Sequence, residues 1–235
     1  MTDTTDTTDT TDTIDTLEPE GPPVFEKPLL RGWLHLLFFL GSIPAGIVIV
    51  LRAEGERSHL ATAVYAFGCC ALFGVSAAYH VFRWSPAARL RMQRADHATI
   101  FVMIAGSYTP LCLLALRGSR GVLLLILAWV GAATGVTLVL TGVSQRRRAL
   151  GSTAYIALGW LIVAFTPSLI DRLTTPDLIL VAAGGLAYTI GAIVFATHWP
   201  NPSPRFFGYH EIWHAFVGAA AICHYVAITG VVRAA

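Results

Sequence analysis

Long apolar stretches separated by short polar segments make up most of the chain after residue 28. A helix needs about 20 mostly apolar residues to cross the hydrocarbon core of a bilayer. The stretches that meet this length are residues 29–51, 59–83, 98–116, 121–143, 151–170, 177–198 and 208–232. None shows the alternation of apolar and polar positions that is typical of a barrel strand. The pattern therefore predicts an all-α polytopic membrane protein, a bundle of seven transmembrane helices.

The composition agrees with this prediction and separates the chain into two parts. Hydrophobic residues make up 55% of the chain and charged residues 13%. Residues 1–28 are a Thr-Asp repeat followed by a Pro/Glu segment, and this composition cannot bury enough apolar surface to fold. We expect a disordered acidic Thr-Asp-rich tail over 1–28 and a seven-helix transmembrane domain over 29–235. The tail lacks the basic start and apolar centre of a signal peptide, so we expect it to be retained.

The basic residues predict the orientation of the bundle. If the spans alternate, ten of the 16 Lys and Arg residues lie on the N-terminal side of the bilayer. Because cytoplasmic loops carry an excess of Lys and Arg, we expect the N-terminus to be inside and the protein to lie in the inner (plasma) membrane. We expect the arginines of the 84–95 link to meet lipid phosphates, with no nucleic acid as a partner.

Side chains that bind metals recur at one end of the predicted bundle. His80 ends the second span, Asp96 precedes the third, and His210 and His214 begin the last. Alternating spans place these three ends on the same side, near the cytoplasmic leaflet. His210 and His214 are one helical turn apart, a spacing that suits two zinc ligands. Ser76 lies one turn before His80 on the same helix face.

Neighbouring polar residues are predicted to play other parts. His97 points about 100° away from Asp96 on a helix, so the two cannot both face one site well. His224 lies about 15 Å deeper than His214 by helical rise, which favours a packing role. The link 84–95 is predicted to be an interfacial helical turn, with Ser85 as its N-cap and Pro86 at its first position.

The segment HEIWH, residues 210–214, leaves two further interpretations open. It matches the H-E-x-x-H motif, in which the glutamate, here Glu211, serves as the general base of a metalloprotease. Alternatively, the polar side chains bond only to one another across helices, although ionisable groups in membrane helices usually have a function.

Three segments together resemble a known family. They are SAAYH (76–80), RADHATIFVMIAGSYTP (94–110) and FGYHEIWHAFVGAAAICHYVAI (207–228). They are similar to the haemolysin III proteins, the bacterial branch of the progestin and adipoQ receptor (PAQR) superfamily, which includes the adiponectin receptors. The resemblance covers roughly residues 31–232. It implies seven helices with the N-terminus inside.

The resemblance also implies a ligand set. Zn²⁺ would be held by His80, His210 and His214, with Asp96 contributing directly or through a bound water, and Ser76 matches the motif serine nearby. The family's first helix usually opens with a Glu/Asn-containing motif before its histidine, whereas this chain reads Arg-Gly-Trp-Leu-His35. Some relatives have an amide in place of Glu211, which argues against an obligatory base at that position.

Related alkaline ceramidases share this constellation, so we expect a zinc-dependent lipid amide or ester hydrolase that affects membrane lipid homeostasis. Asp96 would accept the proton of the attacking water. Ser76 would either donate to the developing oxyanion or bond back to a helix carbonyl. Membrane lipids are the expected partners, and the sequence does not specify an oligomeric state.

Three other functions remain open at this stage. One is a non-catalytic receptor or regulator in which zinc only ties helices together, and another is an H-E-x-x-H intramembrane protease. The third is the haemolysin or pore-former that the family name suggests. We do not expect lysis, because the sequence shows no secretion signal.

Overall fold

The computed structural model describes residues 28–116, 118–146 and 148–235. Residues 1–27 lie outside this part, so the disordered tail remains a prediction. The helices, in chain order, are α1 Trp33–Leu51, α2 Gly55–Val81, α3 Pro86–Pro110, a π-helix Leu111–Ala115, α4 Gly118–Leu140, α5 Val143–Arg146, α6 Arg148–Trp160, a 3₁₀-helix Leu161–Phe165, α7 Thr166–Ile170, α8 Thr175–Thr197 and α9 Tyr209–Arg233.

Seven helical segments of the described residues are long and apolar enough to cross a membrane. They are α1, α2, α3 with its π-helical extension, α4, residues 153–170, α8 and α9. The predicted all-α bundle is therefore confirmed. We call its end with residue 28, the C-terminus of α2 and the N-termini of α3 and α9 the proximal end.

The third helix begins much earlier than predicted. α3 starts at Pro86 and continues to Pro110, so residues 86–95 are its first turns rather than a separate interfacial turn. Ser85 occupies the N-cap position but makes no side-chain capping bond. Between Ala87 and Ala95 the sequence holds only good helix formers, which propagate a helix although they are too polar to register as a span. Asp96 consequently lies within the third helix, not at its start.

Apolar side chains cover the outside of the bundle. Large hydrophobic residues such as Leu37, Phe67, Val130 and Ile193 are exposed on several helices. Serine, histidine and acidic side chains, by contrast, are buried at the proximal end. Lipid tails can cover an apolar surface of this kind, whereas water cannot do so without cost.

α9 is the helix that brings distant parts of the chain together. It packs along α8 and also contacts α1 and α3. Glycines permit these close approaches: a Cβ at Gly218 of α9 would overlap the ring of Phe38 of α1, and one at Gly191 of α8 would lie 2.7 Å from Trp213 of α9. Small residues at helix contacts are typical of membrane bundles. The N-terminus of α9 therefore faces the ends of α1 and α2.

The fifth span is interrupted, and a tyrosine of α3 fills the interruption. The Tyr108 hydroxyl lies 2.9 Å from the carbonyl of Leu158 and 2.8 Å from that of Gly159. It also accepts a bond from the Ile162 amide at 3.0 Å. Backbone groups that a regular helix would pair within itself are thus paired across helices, as a membrane interior requires.

Candidate metal centre

Three histidines meet at the proximal end. His80 lies in the last turn of α2, while His210 and His214 lie in the first turns of α9. Each offers a ring nitrogen, and these three atoms lie within 4.8 Å of one another. His80 and His214 are buried, and His210 is half-buried. The predicted convergence of these residues is confirmed, although more than a hundred positions separate them in sequence.

Asp96 lies beside this cluster on α3. Its Oδ2 is 3.9 Å from Nε2 of His80, and the residue is only 9% exposed. Ser76, one turn before His80, is buried and is a hydrogen-bonding neighbour of the Asp96 carboxylate. The two roles expected for Ser76, a donor to an oxyanion or a bond to a helix carbonyl, stay predictions.

Glu211 lies between the two α9 histidines in sequence, and each of its carboxylate oxygens has a partner outside the cluster. One carboxylate oxygen accepts a bond from Nε of Arg31, and the other accepts a bond from the amide of Gly208 at 2.7 Å. Glu211 is 1% exposed. A general base needs a carboxylate oxygen that can reach the water it deprotonates. Since each oxygen of Glu211 already has a partner, the geometry does not favour the H-E-x-x-H mechanism.

His35 of α1 is a member of the site that the sequence analysis did not assign. Its ring stacks on His214, with centroids 3.7 Å apart and planes 9° apart, and it meets Phe73 edge-on at 5.2 Å. His35 is 3% exposed, and neither ring nitrogen has a hydrogen-bond partner among the described residues. α1 also begins at the proximal end, but this position alone did not single out His35 in the sequence.

Two other histidines stay apart from the cluster, as predicted. His97 is half-buried next to Asp96 but does not belong to the group of converging ligand atoms. His224 packs against Tyr188 with ring centroids 5.6 Å apart, and its Nε2 lies 3.3 Å from the carbonyl of Val181. These contacts agree with the predicted packing role, which stays a prediction.

The arrangement could hold a cation. Three imidazoles, from α2 and α9, supply nitrogen donors. Asp96 supplies a carboxylate next to these rings, with its Oδ2 3.9 Å from Nε2 of His80. Three protein ligands with an open position are typical of catalytic zinc sites.

Comparison with known proteins finds a matching family model and several similar proteins. A family model described as "Haemolysin-III related" matches residues 24–225. Hemolysin-3 of Bacillus cereus is 34% identical over 179 residues, covering 75% of this chain and 78% of the relative. The human monocyte to macrophage differentiation factor is 30% identical over 202 residues, covering 83% and 80%. The Hemolysin-3 homolog of Bacillus subtilis (strain 168) is 28% identical over 193 residues, covering 80% and 87%.

Proposed function

This chain belongs to the haemolysin III-related family of multi-pass membrane proteins, and from its buried histidines we propose that it is a zinc-dependent hydrolase of lipid amide or ester bonds. The observation that carries the proposal is the convergence of His80, His210 and His214, with Asp96 3.9 Å from His80. A carboxylate next to an open ligand position is the arrangement that metal-assisted hydrolysis requires.

The donor set fits a zinc ion. Zinc takes histidine nitrogens in a tetrahedral arrangement at about 2.0–2.1 Å, so its ligand atoms must lie a few ångströms apart. The three ring nitrogens meet that condition. When bound, zinc would supply Lewis-acid activation of water and of a carbonyl group.

The surrounding residues supply positioning and proton transfer. Asp96 would accept the proton of the attacking water, and Ser76 would hold the Asp96 carboxylate toward the cluster. His35 would keep the His214 ring in its plane by stacking. A lipid is the fitting substrate class because the site is enclosed by a bundle whose outer surface is apolar.

We place the site at the cytoplasmic face of the plasma membrane. Support comes from the arginines of the proximal end, including Arg83, Arg89, Arg91 and Arg205, because positive loops face the cytoplasm. A cytoplasmic reporter that is active when fused after Ala235 would refute this orientation.

A non-catalytic regulator is the second candidate. One observation favours it: the three histidines come from α2 and α9, so an ion would also tie two distant helices together. The name Hemolysin-3 of the B. cereus relative brings membrane lysis as a further candidate. Lysis of erythrocytes by the purified protein, independent of His80, would support that function instead of hydrolysis.

Replacing Asp96 by Asn separates hydrolase from regulator. The three histidines remain, so zinc content should stay close to one ion per chain. Turnover of lipid amides or esters should fall by about 10²–10⁴-fold, because an amide is a poor proton acceptor. The measurement is metal analysis with lipid turnover by mass spectrometry, in detergent and at saturating zinc.

Glu211→Gln is the matched control. Under saturating zinc it should retain turnover, since Glu211 is bonded to Arg31 and Gly208 rather than to a reacting group. Loss of turnover in Glu211→Gln with normal turnover in Asp96→Asn would favour the H-E-x-x-H mechanism and contradict the role given to Asp96.

A further inference from the structure

A charged pair links the start of the described chain to the last helix. Arg31, just before α1, donates a bond from Nε to Oε1 of Glu211, in the first turn of α9. The Arg31 side chain is 18% exposed and that of Glu211 is 1% exposed. The remaining oxygen of Glu211 accepts from the Gly208 amide and so caps α9. The pair therefore holds the N-terminus of α9 at a fixed position.

The segment that carries Arg31 is attached to the same region by its backbone. The amide of Leu29 bonds to the carbonyl of Arg205 at 3.0 Å, and that of Leu30 bonds to Phe206 at 3.3 Å. Residues 28–32, which we call the entry segment, thus run alongside the loop that leads into α9. Backbone pairing and the ion pair fix the same two pieces of chain.

The entry segment also touches the other half of the histidine cluster. Gly32 has φ +88°, and a Cβ there would lie 2.6 Å from Cβ of His80. A side chain at this position would be strained by the backbone and blocked by His80. One short segment therefore contacts α2 at His80 and α9 at Glu211, the two helices that supply the histidines.

We propose that Arg31 and Glu211 form a clasp that sets the position of His210 and His214 against His80. Glu211 is then a positioning residue, and its carboxylate acts on the metal centre only through α9. The proposal rests on the metal-binding part of the proposed function and does not depend on hydrolysis.

The physical basis is the asymmetry of a buried ion pair. Removing one member leaves the other as a buried, uncompensated charge, whereas replacing both by neutral groups is far better tolerated. Arg31→Gln would leave the buried Glu211 carboxylate without its cation. We expect the start of α9 to shift so that water can reach that carboxylate, and its histidines would move with it.

The test is a double-mutant cycle on zinc affinity, measured on the detergent-purified full chain by competition with a chromophoric chelator. Arg31→Gln should weaken zinc binding by about tenfold or more, within the range seen for outer partners of metal ligands. Glu211→Gln should weaken it by a few-fold at most. The double variant should bind more tightly than Arg31→Gln alone. Arg89→Gln, at an exposed arginine of the same end, is the matched control and should bind as the wild type does.

Additive losses in the two single variants would overturn the clasp. If Arg31→Gln cannot be recovered folded, recovery of the double variant as folded protein supports the proposal, and failure of both contradicts it. If the wild-type chain holds no zinc, the proposed function fails, and the same cycle on the melting temperatures of the proteins tests the clasp. Additive changes in melting temperature would then count against it.

Discussion

At the scale of single residues, His35 lies against the three converging histidines without belonging to that group. The His35 ring stacks on one face of His214, and the rings of His35 and Phe73 make a T-shaped contact. The two ring nitrogens of His35 contribute no bond to the described residues. We therefore expect the stacked face, rather than the ring nitrogens, to be what His35 contributes to the proposed metal centre.

Two substitutions at His35 distinguish these contributions. His35→Ala removes the face that stacks on His214, and we expect zinc affinity to fall by about tenfold, as for other outer partners of metal ligands. His35→Phe keeps a flat ring and removes two buried nitrogens, so affinity should stay within a few-fold of wild type. Chelator competition measures both. An equal loss in the two variants would show that a nitrogen of His35, not its ring face, is required.

The histidines also show which residues of the site can be predicted from the sequence. His80, His210 and His214 could be grouped because alternating spans put their helix ends on one side. His35 satisfies the same condition, but a single histidine without a spaced partner gave no reason to include it. The ion pair between Arg31 and Glu211 could not be predicted from the sequence. The positive-inside rule uses an arginine only as a charge in a loop and says nothing about which side chain it contacts.

At the scale of elements, hydropathy located the spans but not their irregularities. The polar first turns of α3 were not predicted as part of the span, because a search for apolar stretches leaves out a helical segment rich in arginine. The interruption of the fifth span was not predicted, because residues 151–170 have the mostly apolar composition of a continuous transmembrane helix. Its geometry depends on Tyr108, which belongs to another helix.

Tyr108→Phe tests that dependence. Removing the hydroxyl leaves the carbonyls of Leu158 and Gly159 and the amide of Ile162 without this partner. We expect a loss of about 1–3 kcal/mol in stability, the usual cost of an unsatisfied buried polar group, with zinc content unchanged because Tyr108 lies about 18 Å beyond Asp96 by helical rise. Thermal unfolding in detergent measures the loss.

Tyr225→Phe is the matched control for this substitution. Within the described part of the chain, the Tyr225 hydroxyl bonds to one carbonyl, that of Ala45, at 3.0 Å. We expect a smaller loss of stability than for Tyr108→Phe. Equal losses would mean that the interrupted fifth span does not rely on Tyr108.

At the scale of the whole molecule, the bundle separates an apolar outside from a polar proximal end. The buried histidines, Asp96 and the Arg31–Glu211 pair all lie at that end, while the exposed side chains of the spans are largely apolar. Such a distribution places hydrophilic chemistry next to lipid without opening the bundle to water. It also explains why helices from the two ends of the chain must pack together before the site exists.

The most direct test of this account is the metal content of the purified full chain and of two histidine variants. We predict about one zinc ion per wild-type chain, as a single three-histidine site would hold, and loss of most of it in His80→Ala. His59→Ala, which changes an exposed histidine of α2 far from the cluster, should keep the ion. Stoichiometric zinc in His80→Ala would contradict a site shared between α2 and α9.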